Sequence, residues 1–242
     1  MKAKASSTDW TENAKKRAAL EAVKHLKNGF VVGLGSGSTA SYAIQEIGKT
    51  ISQKNWHILG VPTSYQAFLL AVDCGIPITT LNEHSKPDLN IDGVDQVDPD
   101  LNMIKGMGGA LAKEKIVASA SKKNVIIADE TKLVRKLGVN HPIPLEVLPF
   151  AAAVVASKIR DIGGKAIPRL GTGKVGPVVS DNGNFILDVW MKSIEDQKEL
   201  DDKLRTIPGV VETGLFLGLA DIVYVGTKTS VKTLLRRMNS RQ

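Results

Sequence analysis

Phe30-Val31-Val32-Gly33-Leu34-Gly35-Ser36-Gly37-Ser38-Thr39 is the stretch on which the reading of the fold turns. A short apolar run, Phe30 to Leu34, gives way to a glycine-rich turn. A helical pattern opened by Ser38 comes next, with Tyr42, Ile44 and Ile47 along it. An apolar run of that length bounded by glycines reads as a buried strand, so the unit is strand, loop, helix. Upstream, Asp9 and Glu12 have capping-box spacing, Ala14, Ala18, Ala22 and Leu26 share one helical face, and Gly29 is placed to end the helix. Downstream the alternation continues through the run His57 to Val61, the segment Ser64 to Val72, the run Ile76 to Leu81, and Leu89 to Ile91. After the glycine-rich KGMGGA, a helix through about Ser121 leads into an apolar strand, Val125 to Ala128.

Strands alternating with helices imply right-handed crossovers, hence an α/β domain on a doubly wound, mostly parallel (Rossmann-like) sheet. Near residue 140 the texture changes. HPIPLEVLPF carries three prolines, which a central parallel strand tolerates poorly, and a domain boundary is expected there. Beyond the boundary the chain reads as strand, helix (Ala151 to Ile162), strand (Lys165 to Leu170), strand (Asn184 to Trp190), helix (Ile194 to Thr206) and strand (Val210 to Phe216). That order is a small ferredoxin-like α+β lid. The last apolar run, Asp221 to Val225, is expected to return to the first sheet, with a polar helix after it. The expected division is 1–138 plus 212–242 for the larger domain and 139–211 for the lid.

The composition excludes several classes. With 242 residues, 43% of them hydrophobic, the chain can bury a large core, so a disordered or fibrous protein is not expected. The net charge of +7 suits an anionic partner, but lysines dispersed along the chain make a solvated surface the simpler account of most of it. Only Lys232 to Arg241 is concentrated, and it reads as a frayed helix end. A lone cysteine, Cys74, excludes an internal disulfide and sits among apolar neighbours like a small buried hydrophobe. The first thirty residues are charged, with no apolar signal core, and no run of eighteen apolar residues occurs, so a cytoplasmic protein without membrane association is expected.

Three motifs carry chemistry. In Gly33-Leu34-Gly35-Ser36-Gly37-Ser38-Thr39 the glycines let backbone N–H groups approach an anion, and the helix start adds positive potential and hydroxyl donors. A phosphate site is the natural inference. A dinucleotide fingerprint would need glycine at position 38 and an acid after the second strand, where Val61-Pro62-Thr63 stands. A Walker loop fails too, because Gly48-Lys49-Thr50 follows a helix and Ala43 replaces the first glycine. In Asp92-Gly93-Val94-Asp95-Gln96-Val97-Asp98, two carboxylates across a glycine turn close an apolar strand and can converge on sugar hydroxyls. Calcium-loop spacing is missing, and His25, His57, His84 and His141 are scattered, so no metal is expected. In Lys105-Gly106-Met107-Gly108-Gly109-Ala110-Leu111-Ala112-Lys113-Glu114-Lys115, a lysine and a glycine turn meet a helix whose early turns carry a glutamate. Enediolate chemistry needs such a carboxylate base and donors for the developing oxyanion.

Taken in order, GLGSGSTA, DGVDQVD, KGMGGALAKEK and ADETK resemble the signature of ribose-5-phosphate isomerases of the A type, over essentially the whole chain. The resemblance implies interconversion of D-ribose 5-phosphate and D-ribulose 5-phosphate in the non-oxidative pentose phosphate pathway, without cofactor, metal or nucleotide. By motif position the general base falls on Glu114. Substrate contacts fall on Ser36, Gly37, Ser38 and Thr39, on Asp92, Gly93, Val94 and Asp95, and on Lys105, Gly106, Met107 and Gly108. The phosphate-binding lysine falls on Lys132. Asp92 with Lys105 would assist ring opening, Lys105 and turn amides would hold the oxyanion, and Asp95 would orient hydroxyls. The partner implied is a small sugar phosphate, with no nucleic acid, and a homodimer or homotetramer is usual in the family. Departures from the commonest pattern are Gln96, Met107 and Lys113, none of which removes a chemical role. A sugar-phosphate-sensing regulatory module of the same fold is the alternative, but it would require a DNA-reading segment for which these residues leave no room.

Overall fold

The computed structural model describes residues 7–173 and 175–236. In chain order the elements are α1 (Ser7–Val23), β1 (Val31–Leu34), α2 (Gly37–Lys54), β2 (Leu59–Pro62), α3 (Tyr65–Asp73) and β3 (Leu89–Gly93). Next come β4 (Gln96–Val97), β5 (Met103–Ile104), α4 (Leu111–Ala120) and β6 (Asn124–Asp129), closed by a 3-10 turn over Glu130–Lys132. The remainder comprises β7 (Ile143–Val147), α5 (Ala152–Asp161), β8 (Lys165–Pro168), β9 (Phe185–Trp190), α6 (Gln197–Arg205), β10 (Val210–Thr213), β11 (Leu215–Phe216), β12 (Ile222–Gly226) and β13 (Val231–Leu235). They divide into two compact units, Met1–Val94 with Ile116–Leu133 and Leu219–Gln242, and Asp95–Lys115 with Val134–Gly218. The lid expected at 139–211 falls wholly inside the second unit.

The first unit is a six-stranded sheet in the order β13-β12-β6-β3-β1-β2, parallel except for β13. Alternation along β1 explains its two covered faces. Val32 and Leu34 join Leu89, Ile91, Val125 and Ile127 in a core with Ala18, Ala22, Ile44 and Ile47 from α1 and α2. Val31 points the other way, to Val61 and to Val117 of α4. Helices on both faces make the sheet doubly wound. Connections run from β1 toward β2 on one side and from β3 toward β6 and β12 on the other, so the order reverses between β1 and β3. In open α/β sheets that reversal, at the carboxyl ends of the strands, is where ligands bind.

The second unit holds an antiparallel sheet in the order β10-β7-β9-β8. Ile143, Leu145 and Val147 of β7 bury one face with Leu187 and Val189, against Val155 and Ile159 of α5 and Leu204 of α6. Each such side chain contributes about 1.5–3 kcal/mol by leaving water. This is the ferredoxin-like arrangement the sequence pattern implies. Pro144 is tolerated because its carbonyl turns toward Gly214, whose N–H donates to it at 2.7 Å, so no ladder donor is lost to β9. A three-stranded sheet, β11-β5-β4, completes the unit.

Several expectations are corrected. The single strand Val210 to Phe216 breaks at Gly214 into β10 and β11, which belong to different sheets. A Cβ there would lie 2.5 Å from the Lys105 carbonyl oxygen and 2.8 Å from Pro144, so only glycine can make the switch. The run Ile76 to Leu81 forms one isolated bridge, Gly60 to Ile78, instead of a strand. The polar helix expected after Val225 is the antiparallel edge strand β13, since Val231, Lys232, Thr233, Leu234 and Leu235 pair residue by residue with β12. The rest of the basic run, residues 237–241, lies outside the described residues. Helix α1 includes Asp9 in its first turn instead of starting after it, and the Asp9 side chain lies outside the described residues. Among the described residues, no helix is long and apolar enough to cross a membrane.

Candidate active site

In the first unit, three sequence motifs end on neighbouring strands. The turn 35–38 follows β1, Asp92 is the penultimate residue of β3, and Lys132 ends the 3-10 turn after β6, all at the carboxyl edge of adjacent strands. Ser36 caps α2 with extended backbone and makes no side-chain cap bond. The first-turn amides of a helix have no intrahelical acceptor and leave positive potential there. Gly37, at φ +91, donates its N–H to Gln66 Oε1 at 2.7 Å. The Ser36 hydroxyl lies 2.8 Å from Thr63 Oγ1 and 2.6 Å from Ser64 Oγ.

Asp92 is 1% exposed, and its Oδ1 accepts from Ser36 N–H at 3.1 Å and from Gly93 N–H at 2.7 Å. Gly35 makes this possible. A Cβ on residue 35 would lie 2.1 Å from Asp92 Oδ1 and 2.5 Å from Asp92 Cα. Gly93 faces the same turn, its missing Cβ 3.8 Å from the Ser36 carbonyl oxygen and from Thr39 Cβ. Val94 is buried and ends the segment. Lys132 is half-buried and makes no hydrogen bond or ion pair among the described residues. Lys15 of α1, by contrast, donates to Ser38 Oγ at 3.2 Å while paired with Glu12 at 2.7 Å. The sequence gives no local signal for Lys15 or Gln66, because their partners lie 23 and 29 residues away.

In the second unit, Lys105 directly follows β5 and α4 begins after the glycine turn. Lys105 donates its N–H to Gly214 O at 2.9 Å, which fixes the start of the turn. Its ammonium is 3.2 Å from Glu114 Oε2, and both side chains are 5% exposed. A buried ion pair persists only when each charge is compensated nearby, and removing one partner strands the other. Asp95 donates N–H to Ile104 O at 3.0 Å and accepts from Met107 N–H through Oδ2 at 3.0 Å. Gly106 adopts φ +107, where only glycine is comfortable, and Gly109 closes the turn with N–H to Gly106 O at 2.9 Å. Gly108 has open space where a Cβ would stand, and Met107 is 43% exposed.

The sequence gives no signal for Phe216 either. Fully buried, it receives the Lys105 ammonium 5.4 Å from its ring centre and that of Lys115 at 4.9 Å. Lys115 is buried and pairs with Glu212 at 2.8 Å and Thr213 Oγ1 at 3.1 Å. Burial pushes the Lys115 ammonium below the ordinary lysine range, against the opposing pull of Glu212. Asp92 with the serine loop, and Lys105 with Glu114 and Asp95, are thus each assembled as a cluster. Among the described residues, no group of three His, Cys, Asp or Glu side chains is arranged to hold a metal ion.

Comparisons with known proteins agree with the motif reading. Residues 59–230 match the family model of ribose 5-phosphate isomerase A (phosphoriboisomerase A). The ribose-5-phosphate isomerase A of Methanothermobacter thermautotrophicus is 48% identical over 222 residues, 92% of this chain and 97% of the relative. The solved ribose 5-phosphate isomerase A of Methanocaldococcus jannaschii superposes with a TM-score of 0.90 at 47% identity, covering 93% of this chain and 99% of the other. A D-ribose-5-phosphate isomerase solved in complex with phospho-erythronic acid gives 0.91 at 44% identity over the same shares. With clusters, fold and sequence in agreement over more than nine-tenths of its length, the chain belongs to the ribose-5-phosphate isomerase A family.

Proposed function

We propose that this protein interconverts D-ribose 5-phosphate and D-ribulose 5-phosphate through a cis-enediolate, with Glu114 as general base. The observation that carries the reading is the buried Lys105–Glu114 pair at 3.2 Å beside a glycine turn. Asp92 and Lys105 assist opening of the sugar ring. Glu114 takes the C2 proton, and the electron pair left behind forms the C1–C2 double bond while O1 becomes an oxyanion held by Lys105 and turn amides. Glu114 then returns the proton to C1, O2 becomes the carbonyl, and the O2 hydroxyl proton passes to O1. Asp95 orients hydroxyls, and Ser36, Gly37, Ser38, Thr39 and Lys132 grip the phosphate, keeping binding energy away from the reacting carbons. Gly93, Val94, Gly106, Met107 and Gly108 line the substrate through their backbones. A relative 44% identical binds phospho-erythronic acid, whose name places a phosphate and a carboxylate on one short chain, and this supports a phosphorylated acyclic intermediate.

The test is direct. Purified protein, ribose 5-phosphate, excess chelator and no nucleotide are expected to yield ribulose 5-phosphate. Absence of product overturns the proposal.

A further inference from the structure

Arg169 follows β8, and its backbone N–H donates to Ile186 O at 2.9 Å, so its base is fixed to β9. Its guanidinium grips Asp188 of β9 with Nε to Oδ2 at 3.0 Å and Nη2 to Oδ1. The remaining nitrogen, Nη1, donates to two consecutive carbonyls of the glycine turn, Gly106 O and Met107 O, each at 2.8 Å, and Nη2 lies 3.6 Å from Met107 Sδ. The pair is 12% and 17% exposed. A planar fork held bidentately on one side presents its other donors in a fixed direction, which a lysine cannot do.

The two carbonyls belong to the residues directly after Lys105, and the amide between them is spoken for as well, since Met107 N–H donates to Asp95 Oδ2. Gly106 holds φ +107 with Leu111 Cβ and Pro144 Cβ 2.9 Å and 3.1 Å from where its Cβ would be, so the turn is packed tightly on one side. Within the turn one local bond, Gly109 N–H to Gly106 O at 2.9 Å, supports that shape, and glycine has the most conformational freedom to lose, so the contacts from outside the turn carry much of its order. We propose that Arg169, locked by Asp188, is a positioning residue for catalysis. It pins the carbonyls of the turn, and through them the placement of Lys105 beside Glu114 and of Asp95. The inference rests on the isomerase reading above.

The experiment compares wild type, Arg169→Ala, Arg169→Lys and Asp188→Asn for turnover of ribose 5-phosphate, for competitive inhibition by inorganic phosphate, and for thermal melting. The expected result for Arg169→Ala is a fall in kcat of roughly 10-fold to 100-fold with the phosphate inhibition constant within about threefold of wild type, because geometry of the reacting groups is lost while the phosphate loop is untouched. Arg169→Lys is expected to stay near the alanine level, and added guanidinium ion to restore part of the alanine variant's kcat. Asp188→Asn, nearly unchanged in shape, is expected to lose roughly 3-fold to 10-fold in kcat and carries the test if Arg169→Ala does not fold. A kcat within twofold of wild type in the folded variants overturns the inference. So does an equal loss of phosphate affinity and turnover, which marks a general structural role. A wild type that fails to isomerise ribose 5-phosphate overturns the isomerase reading itself, and the role assigned to Arg169 with it.

Discussion

The two glycine turns look alike in sequence and are built on opposite principles. The turn after β1 needs glycine at 35 for space, since a carboxylate oxygen lies 2.1 Å from the missing Cβ. The turn after β5 needs glycine at 106 for backbone freedom, at φ +107. Around the first gather amides and hydroxyls, donors of modest strength bonded to Asp92, Gln66, Thr63 and Ser64. Around the second gather buried full charges, Lys105, Glu114 and Lys115, with a phenyl ring beneath the ammonium groups. In the function proposed above, the first arrangement holds the charged ligand and the second moves the proton. Glycine content alone therefore says nothing about what a turn does; its neighbours do.

The sharpest way to break this contrast is Glu114→Gln. If the second cluster performs the chemistry, kcat falls by roughly 10²-fold or more while competitive inhibition by inorganic phosphate changes little. Near-wild-type turnover removes Glu114 from the role of base. The glycines come next. Gly35→Ala is expected to cost about 1–3 kcal/mol through crowding of Asp92, and Gly106→Ala a similar amount, about 1–3 kcal/mol, through backbone strain. Denaturant midpoints measure both, and an unchanged midpoint in either contradicts the geometry given for it. Lys132→Ala sharpens the assignment of grip and chemistry. Loss of a charged contact to phosphate is worth about 10-fold in KM with kcat held, and a larger effect on kcat than on KM would move Lys132 into the chemistry.

The smallest effect lies at His25 of the first unit. Its Nε2 is 2.9 Å from Tyr224 Oη and its Nδ1 3.3 Å from the Lys123 ammonium. Burial, then the Lys123 charge, lowers its pKa below the ordinary histidine value. Between that lowered value and the ordinary one near 6.5 the unfolded chain binds more protons than the folded one, so stability falls as pH drops through this window. His25→Gln is expected to flatten the change in denaturant midpoint between neutral and mildly acidic pH, and an unaltered slope counts against the assignment.

The parts of the fold that were legible are those whose cause is local. Phe30 to Thr39 announces strand, turn and helix because a buried strand beside glycines admits little else, and the lid's helix and strand order survives because α5, α6, β7 and β9 each carry a clear apolar period. What misleads is context. The basic run Lys232 to Arg241 suggests a helix end, yet pairing of residues 231–235 with β12 supplies the hydrogen bonds that select a strand. The apolar run 76–81 meets β2 at a single bridge, Gly60 to Ile78, so no ladder forms along it. The same holds in the site. Lys105 and Glu114 lie in one motif and can be read together, whereas Arg169 reaches its turn across 63 residues, and Phe216 reaches both lysines only because the chain changes sheets at Gly214.

The missing side chain at position 35 has a consequence for any attempt to diversify the loop. Residues 35 and 92 occupy one volume between them, so they form a single unit of selection: a library that randomises the loop while keeping the aspartate will return glycine at 35 in nearly every active clone. Substitution is open at 38, whose side chain is exposed and meets Lys15, and closed three positions earlier.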